Sequence, residues 1–214
     1  MSPSAPLSAP SSGAAPPRPY AALFAKGDDR KQRILTVALR LLTRNGWRNT
    51  TLSQIAKEAG VTPAGLLHHF ESKEQLLHAV VDARDADDDA HADRSGDLIT
   101  EIARVGDRIE RAPQLVGTFA VLLVENLTPD APLHDRLLHR HNAAIDIVAE
   151  IIRRGQLAGR YRNDFDPAIK ALQILSIVNG LEISWLLDPS IPFQETMQEY
   201  AQSLARDIAP VATS

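Results

Sequence analysis

The chain has 214 residues, no cysteine, 44% hydrophobic residues and a formal net charge of −4. That length accommodates one large or two small domains, and the absence of cysteine excludes disulfides and thiolate metal sites and fits a reducing compartment. No apolar run approaches the ~18–20 residues needed to span a bilayer, and the amino terminus lacks a charged-then-apolar signal pattern, so a soluble, cytoplasmic protein with no membrane partner is expected.

Residues 1–27 are rich in Pro, Ala and Ser, with few bulky apolar residues before Tyr20 and Phe24. Such a composition predicts a disordered or loosely attached arm, from which Arg18 and Lys26 could reach phosphates, although an inert tail is the simpler reading. A helix is predicted from Asp28 or Asp29 to the pair Asn45-Gly46, a favoured helix end. Its inner stripe is Ile34, Ala38, Leu41 and Leu42, with Arg30, Lys31, Arg33, Arg40 and Arg44 mostly outside. Trp47 follows directly and best serves as a plug for a small core.

The stretch from Thr51 to Lys73, TLSQIAKEAGVTPAGLLHHFESK, reads as two short helices, a tight turn between them and the cap of a third. Thr51 and Gln54 have capping-box spacing. Gly60 suits a left-handed helix end. Thr62 is a cap with Pro63 at the first helical position, and Ser72 caps the next helix with Gln75 three residues on. Ile55, Ala59, Val61, Leu66 and Phe70 form one apolar seam, leaving Thr62, Pro63, Ala64, Leu67 and His68 on the outer face of the second helix. A helix–turn–helix offers that face to the DNA major groove; an αα-corner inside a helical protein has the same spacing.

These residues resemble the DNA-binding signature of the tetracycline-repressor (TetR) family of bacterial transcription regulators. The match runs through Thr51, Ile55, Ala56, Ala59-Gly60-Val61, Thr62, Leu66, His69-Phe70, Ser72-Lys73-Glu74 and Leu76-Leu77. The helix carrying Ile34, Ala38, Leu41 and Leu42 resembles the family's first helix. Two positions depart from the pattern. Leu67 stands where the family often has a Tyr that touches the DNA backbone, and a Gly frequent at position 64 is displaced to Gly65. The resemblance implies an all-α protein of about nine helices. Residues 28–75 would form a three-helix DNA-binding domain, and residues 76–214 an effector-binding and dimerisation domain.

Charge agrees with that division. Residues 1–80 hold ten Lys/Arg and five Asp/Glu, net +5, and the remainder is net −9. A basic amino-terminal part suits phosphate, and an acidic body repels it. The next predicted helix runs from Lys73 to near Ala92 and buries Leu76, Leu77, Val80 and Val81. A Lys at a helix start opposes the helix dipole and argues mildly for an external anion. Asp82, Asp85, Asp87, Asp88, Asp89, His91 and Asp93 lack the Gly-broken pattern of a calcium loop and read as a solvated acidic face.

Further helices are predicted over Leu98 to Val105, from Pro113 through the nearly all-apolar run Leu115 to Val124, and from near Leu133 to Leu157. Polar residues His134, Asp135, His139, His141, Asn142 and Asp146 on the last of these fit a pocket wall or an exposed face better than a metal site, and no metal or cofactor is expected. Asp166 and Pro167 open a helix with the stripe Ile169, Leu172, Leu175, Val178, Leu181, Trp185 and Leu186, widened by Ile174, Ile177 and Ile183. A final helix carries Phe193, Met197, Tyr200, Ala201, Leu204 and Ile208. Two such apolar helices would leave too much hydrophobic surface on a monomer, and the resembling family packs its last two helices against their twofold mates. The expected dimer interface is Leu172, Leu175, Gly180, Trp185, Met197, Tyr200 and Leu204.

Gly-x-Ser-x-Gly, Gly-x-x-x-x-Gly-Lys and His-Glu-x-x-His are all absent, so no enzyme is expected. The leading expectation is a homodimeric, ligand-responsive repressor of double-stranded DNA. Arg48, Thr51 and Lys73 are its phosphate candidates, and Thr62, Pro63, Ala64, Leu67 and His68 its groove candidates. The resemblance implies an effector pocket in the second domain, with Phe119, Leu122, Leu123, Asn126, His141, Asn179 and Trp185 as candidate walls and a small, largely apolar effector. A DNA-bound protein switched by a protein partner is the alternative, and a helical enzyme or carrier with a vestigial head is a third reading.

Overall fold

The computed structural model describes residues 29–91 and 97–210, and among them there are ten helices and no strand. The predicted arm, residues 1–27, and Asp93 lie outside the described residues. The helices are α1 (Asp29–Asn45), α2 (Leu52–Ala59), α3 (Pro63–His69), α4 (Lys73–His91), α5 (Leu98–Ala103), α6 (Val105–Arg111), α7 (Pro113–Glu125), α8 (His134–Leu157), α9 (Pro167–Leu187) and α10 (Phe193–Ile208). One helix was expected over Leu98 to Val105, but the chain breaks at Arg104 into α5 and α6. Asp97, overlooked in the sequence, caps α5 by accepting from the Ile99 N–H at 3.3 Å.

Two apolar clusters hold the chain together. The first joins the inner stripe of α1 to Ile55, Ala56, Leu66, Phe70 and the start of α4, and extends to Leu115, Phe119 and Leu122 of α7. The second gathers Leu98, Ile102 and Val116 with α8, α9 and α10 around Ile152, Ala171, Ile174, Met197 and Leu204. Helix α4 begins in the head and runs into the body, so the expected boundary near residue 75 falls within its first turn.

The packing of α7 on α1 is close. Thr118 is fully buried; its hydroxyl lies 2.5 Å from that of Thr43 and 3.0 Å from the Leu39 carbonyl. At the far end of α7, a Glu125 carboxylate oxygen accepts from the Trp47 N–H at 2.6 Å. The Trp47 carbonyl accepts from Lys73 Nζ at 2.6 Å, and the ammonium also sits 3.7 Å from the Trp47 ring centroid. One residue thus ties the end of α1 to the start of α4 and the end of α7.

The acidic run on α4 is only in part the solvated face expected: Asp82 and Asp89 are exposed, but Asp85, Asp87 and Asp88 turn to arginines of other helices. Asp87 is fully buried and pairs with Arg111 at 3.2 Å. Arg136 of α8 lies 2.7 Å from Asp85 and 2.8 Å from Asp82, and Arg140 bonds both Asp85 and Asp88. Buried Arg84 meets Asp88 at 3.2 Å and buried Glu182 of α9 at 3.5 Å. Arg136 and Arg140, one helical turn apart, face aspartates three residues apart. That complementarity of spacing was the signal available in the sequence.

Helix α9 is long and apolar enough, by length and composition, to cross a membrane. Its run is not unbroken, since Lys170, Gln173, Ser176, Asn179, Glu182 and Ser184 interrupt it. In the fold α9 packs on α7, α8 and α10. Its other side carries exposed Ile169, Leu172, Ile177, Ile183 and Leu187.

Both Gly46 (φ 73°) and Gly60 (φ 68°) are left-handed. A Cβ on Gly60 meets nothing within 4 Å, whereas one on Gly46 would lie 2.6 Å from Glu125 Oε1. Gly60→Ala should therefore cost about 1 kcal/mol from backbone strain alone, and Gly46→Ala distinctly more. Urea unfolding measures both, and equal losses would show that the Glu125 contact does not constrain this end. Lys73→Met should cost about 1–2 kcal/mol by removing a charged hydrogen bond and a cation–π contact, with a shift in tryptophan emission on the native baseline.

Candidate nucleic-acid interface

The helix–turn–helix is built from short-range hydrogen bonds. Thr51 Oγ1 accepts from the Gln54 N–H at 3.2 Å to start α2. At its end the Val61 N–H bonds the Ala56 carbonyl at 3.0 Å and the Gly60 N–H the Lys57 carbonyl at 3.3 Å, the paired pattern of a left-handed cap. Thr62 Oγ1 accepts from the Gly65 N–H at 3.0 Å, with Pro63 opening α3. Ser72 Oγ accepts from the Gln75 N–H at 3.0 Å, and Gln75 Oε1 in return accepts from the Glu71 N–H at 2.6 Å. With Leu66 and Phe70 buried and Val61 packed beside them, the orientation of α3 is fixed from below.

Thr62, Pro63, Ala64, Leu67 and His68 are all exposed, so the five groove candidates share the open side of α3. Thr51 and Arg48 are exposed on the same head, as is Lys57. Lys73 is half-buried. Its ammonium turns inward to Trp47 as described, and burial lowers its pKa from the usual lysine value, against the raising influence of Glu74 and Glu125. The lysine at the start of α4 therefore has a partner within the protein, which accounts for its place at an unfavourable helix end without an external anion.

The expected effector walls are dispersed. Phe119 and Leu122 belong to the core shared with α1, with Leu123 packed against it, and the Phe119 ring has the guanidinium carbons of Arg140 and Arg84 at 4.5 and 5.2 Å. The Asn126 side chain is engaged at both ends, donating to the Leu122 carbonyl at 2.7 Å and accepting from the Leu133 N–H at 3.1 Å. It closes the α7–α8 turn and does not offer its amide to a cavity. His141 and Asn179 are half-buried, and Trp185 packs against the second cluster. A surface cavity of about 450 Å³ lies elsewhere, between α9 and α10, lined by Lys170, Gln173, Ile177, Tyr200, Ser203, Leu204 and Asp207.

The expected dimer residues divide sharply. Leu172 and Gly180 are exposed, and Leu175, Trp185 and Tyr200 are half-buried. Met197 (0% exposed) and Leu204 (4%) are packed into the protomer's own core, so their stripe is covered mostly from within, although Leu204 also lines the surface cavity. Ser176, Ile177, Ile183, Ser184 and Leu187 join Leu172 and Gly180 on the open side of α9.

Residues 34–80 match the family model of the bacterial regulatory proteins, tetR family. Over 181 residues, covering 77% of this chain and 83% of the relative, the chain is 26% identical to the HTH-type transcriptional regulator TtgR of Pseudomonas putida. Two solved structures share the fold. SmeT, in complex with triclosan, superposes with a TM-score of 0.69 at 19% identity, over 83% of this chain and 91% of that one. NalD, the secondary repressor of the MexAB-OprM multidrug efflux pump in Pseudomonas aeruginosa, gives 0.65 at 20% identity, over 84% and 95%. The matched motif coincides with the capped α2–α3 unit and its exposed face, and the likeness of fold extends through the body: residues 34–80 carry the helix–turn–helix DNA-binding head of the tetR family, and the chain is similar to transcriptional regulators of that family over most of its length.

Proposed function

We propose that this protein represses transcription as a homodimer on a pseudo-palindromic operator and is released by a small-molecule effector. The observation that carries the reading is the pairing of an exposed, rigidly capped α3 with an open apolar stripe on α9. Ile169, Leu172, Ile177, Ile183 and Leu187 recur at helical spacing, with the small residues Ser176, Gly180 and Ser184 between them. An exposed apolar surface of that length favours self-association. A twofold axis through α9 is consistent with two heads set to enter successive major grooves about 34–36 Å apart. Arg48 and Thr51 are the phosphate contacts in this reading. Lys73 acts by positioning α4 against Trp47. Repression accords with NalD being a repressor.

The effector site in this reading lies within the body, where half-buried Leu123, His141, Asn179 and Trp185 are the wall candidates that the protomer core leaves partly uncovered. The solved complex of SmeT with triclosan supports a small molecule as effector in a protein of this fold. The effector must bind more tightly to the state whose head spacing no longer fits DNA. One observation favours a second reading, a protein partner as the switch. Phe119, Leu122 and Asn126 are engaged internally, while Val124 (58%) and Leu127 (66%) are exposed. Stabilisation by small apolar molecules in a thermal-shift screen supports the first; capture through a surface removed by Leu127→Asp supports the second.

Selection of bound sequences from random duplex DNA should yield a twofold-symmetric site, and enrichment of nothing would overturn the operator reading. On that site Arg48→Ala should weaken binding to all sequences and reduce the salt slope by about one. Thr62→Ala or His68→Ala should alter sequence preference instead. A Cβ on Gly180 meets no atom within 4 Å in the protomer, so Gly180→Arg should leave helicity intact and shift the mass in analytical ultracentrifugation from dimer to monomer. A dimeric Gly180→Arg protein would place the interface elsewhere.

A further inference from the structure

We propose that the head reads thymine through its 5-methyl group, with Pro63, Ala64 and Leu67 as the surface that contacts the methyl. This rests on the DNA-binding reading above and specifies what that surface recognises.

Positions 63, 64, 67 and 68 are spaced i, i+1, i+4 and i+5 and so share one face of α3. All four are exposed, and three of them are apolar. Leu67 is 45% exposed, and within described residues 29–91 no other large hydrophobic side chain stands out to that degree. The rest of the head hides its large apolar residues and displays charge.

The same face is poor in the groups that read bases by paired hydrogen bonds. Arg and Lys pair with guanine, and Asn and Gln with adenine, and Pro63–His69 contains none of these. Thr62 Oγ1 already accepts from the Gly65 N–H, and the Lys73 ammonium is turned to Trp47. His68 offers a single ring nitrogen at a time. What the helix has in abundance is apolar surface, and the apolar feature of the major groove is the thymine methyl.

Such a contact excludes water from one methyl group and a facing side chain. The transfer free energy of a buried methyl corresponds to about a 3- to 6-fold change in affinity per contact. Discrimination by this means is modest at each position and accumulates across two half-sites.

The test uses the full chain and its selected operator, with each thymine replaced in turn by deoxyuridine, which keeps the pairing edge and deletes the methyl. Affinities are measured by fluorescence anisotropy at one salt concentration for the wild type, Leu67→Ala and Pro63→Ala. Both positions are exposed, so both variants should fold, and circular dichroism checks this. We expect symmetric positions in the two half-sites at which deoxyuridine weakens wild-type binding about 3- to 6-fold, with the loss falling below about twofold in one of the two variants. Neutral substitution at every thymine would overturn the proposal. So would a loss that persists undiminished in both variants, which would assign it to altered DNA shape. If no operator can be selected at all, the regulatory reading fails first, a result distinct from a symmetric operator indifferent to the methyl.

Discussion

The peptide of Trp47 is held from two directions. Its N–H donates to Glu125 at the end of α7, and its carbonyl accepts from Lys73 at the start of α4. Gly46 before it must be left-handed, which turns the chain sharply enough to bring Trp47 between those partners. Through this one residue the end of the first head helix is fixed to the body and to the helix that joins the two parts. The head is consequently more than a small domain on a tether. Its core runs on into α7, and the close approach of Thr43 and Thr118 allows little independent sliding.

The ionic cluster along α4 belongs to the same junction. Asp85, Asp87 and Asp88 meet arginines from α6 and α8, and Arg84 reaches Glu182 of α9. Buried ion pairs contribute little net stability, because desolvation offsets their attraction, yet separating one partner from the other is costly. Charges so arranged specify where α4 sits more than they strengthen the fold. A helix that starts beside Trp47 and ends among these pairs has one well-defined position in this state. Moving it requires new partners for several charges together. In the proposed response to an effector, this favours two discrete arrangements of the head over a continuum.

Surface chemistry separates the molecule's outward-facing tasks. The exposed side of α3 is small, mostly apolar and set among basic residues. The exposed side of α9 is apolar along its length, with small residues that permit close approach. The surface cavity between α9 and α10, which includes the Lys170–Asp207 pair at 2.7 Å, adjoins that stripe through Ile177 and is lined by none of the residues proposed for the effector.

Features that depend on neighbours a few residues away are legible in the order of the residues. Thr51, Gly60, Thr62 and Ser72 start and stop helices through hydrogen bonds spanning three to five residues, and Pro63 opens α3 through its fixed φ, so the helix–turn–helix and its exposed face were legible from their order alone. Helical periodicity likewise located the later helices, apart from the break at Arg104. What covers each face follows from the packing of distant segments. Lys73 has a lone-cation spacing in the sequence, but its partner is a carbonyl 26 residues back. The α4 aspartates read as a solvated surface because their arginines lie some fifty residues further on. Met197 and Leu204 share the apolar periodicity of Leu172 and Gly180, yet the first pair is enclosed and the second open. Periodicity shows that a stripe avoids water; it does not show whether the same chain or another surface excludes that water.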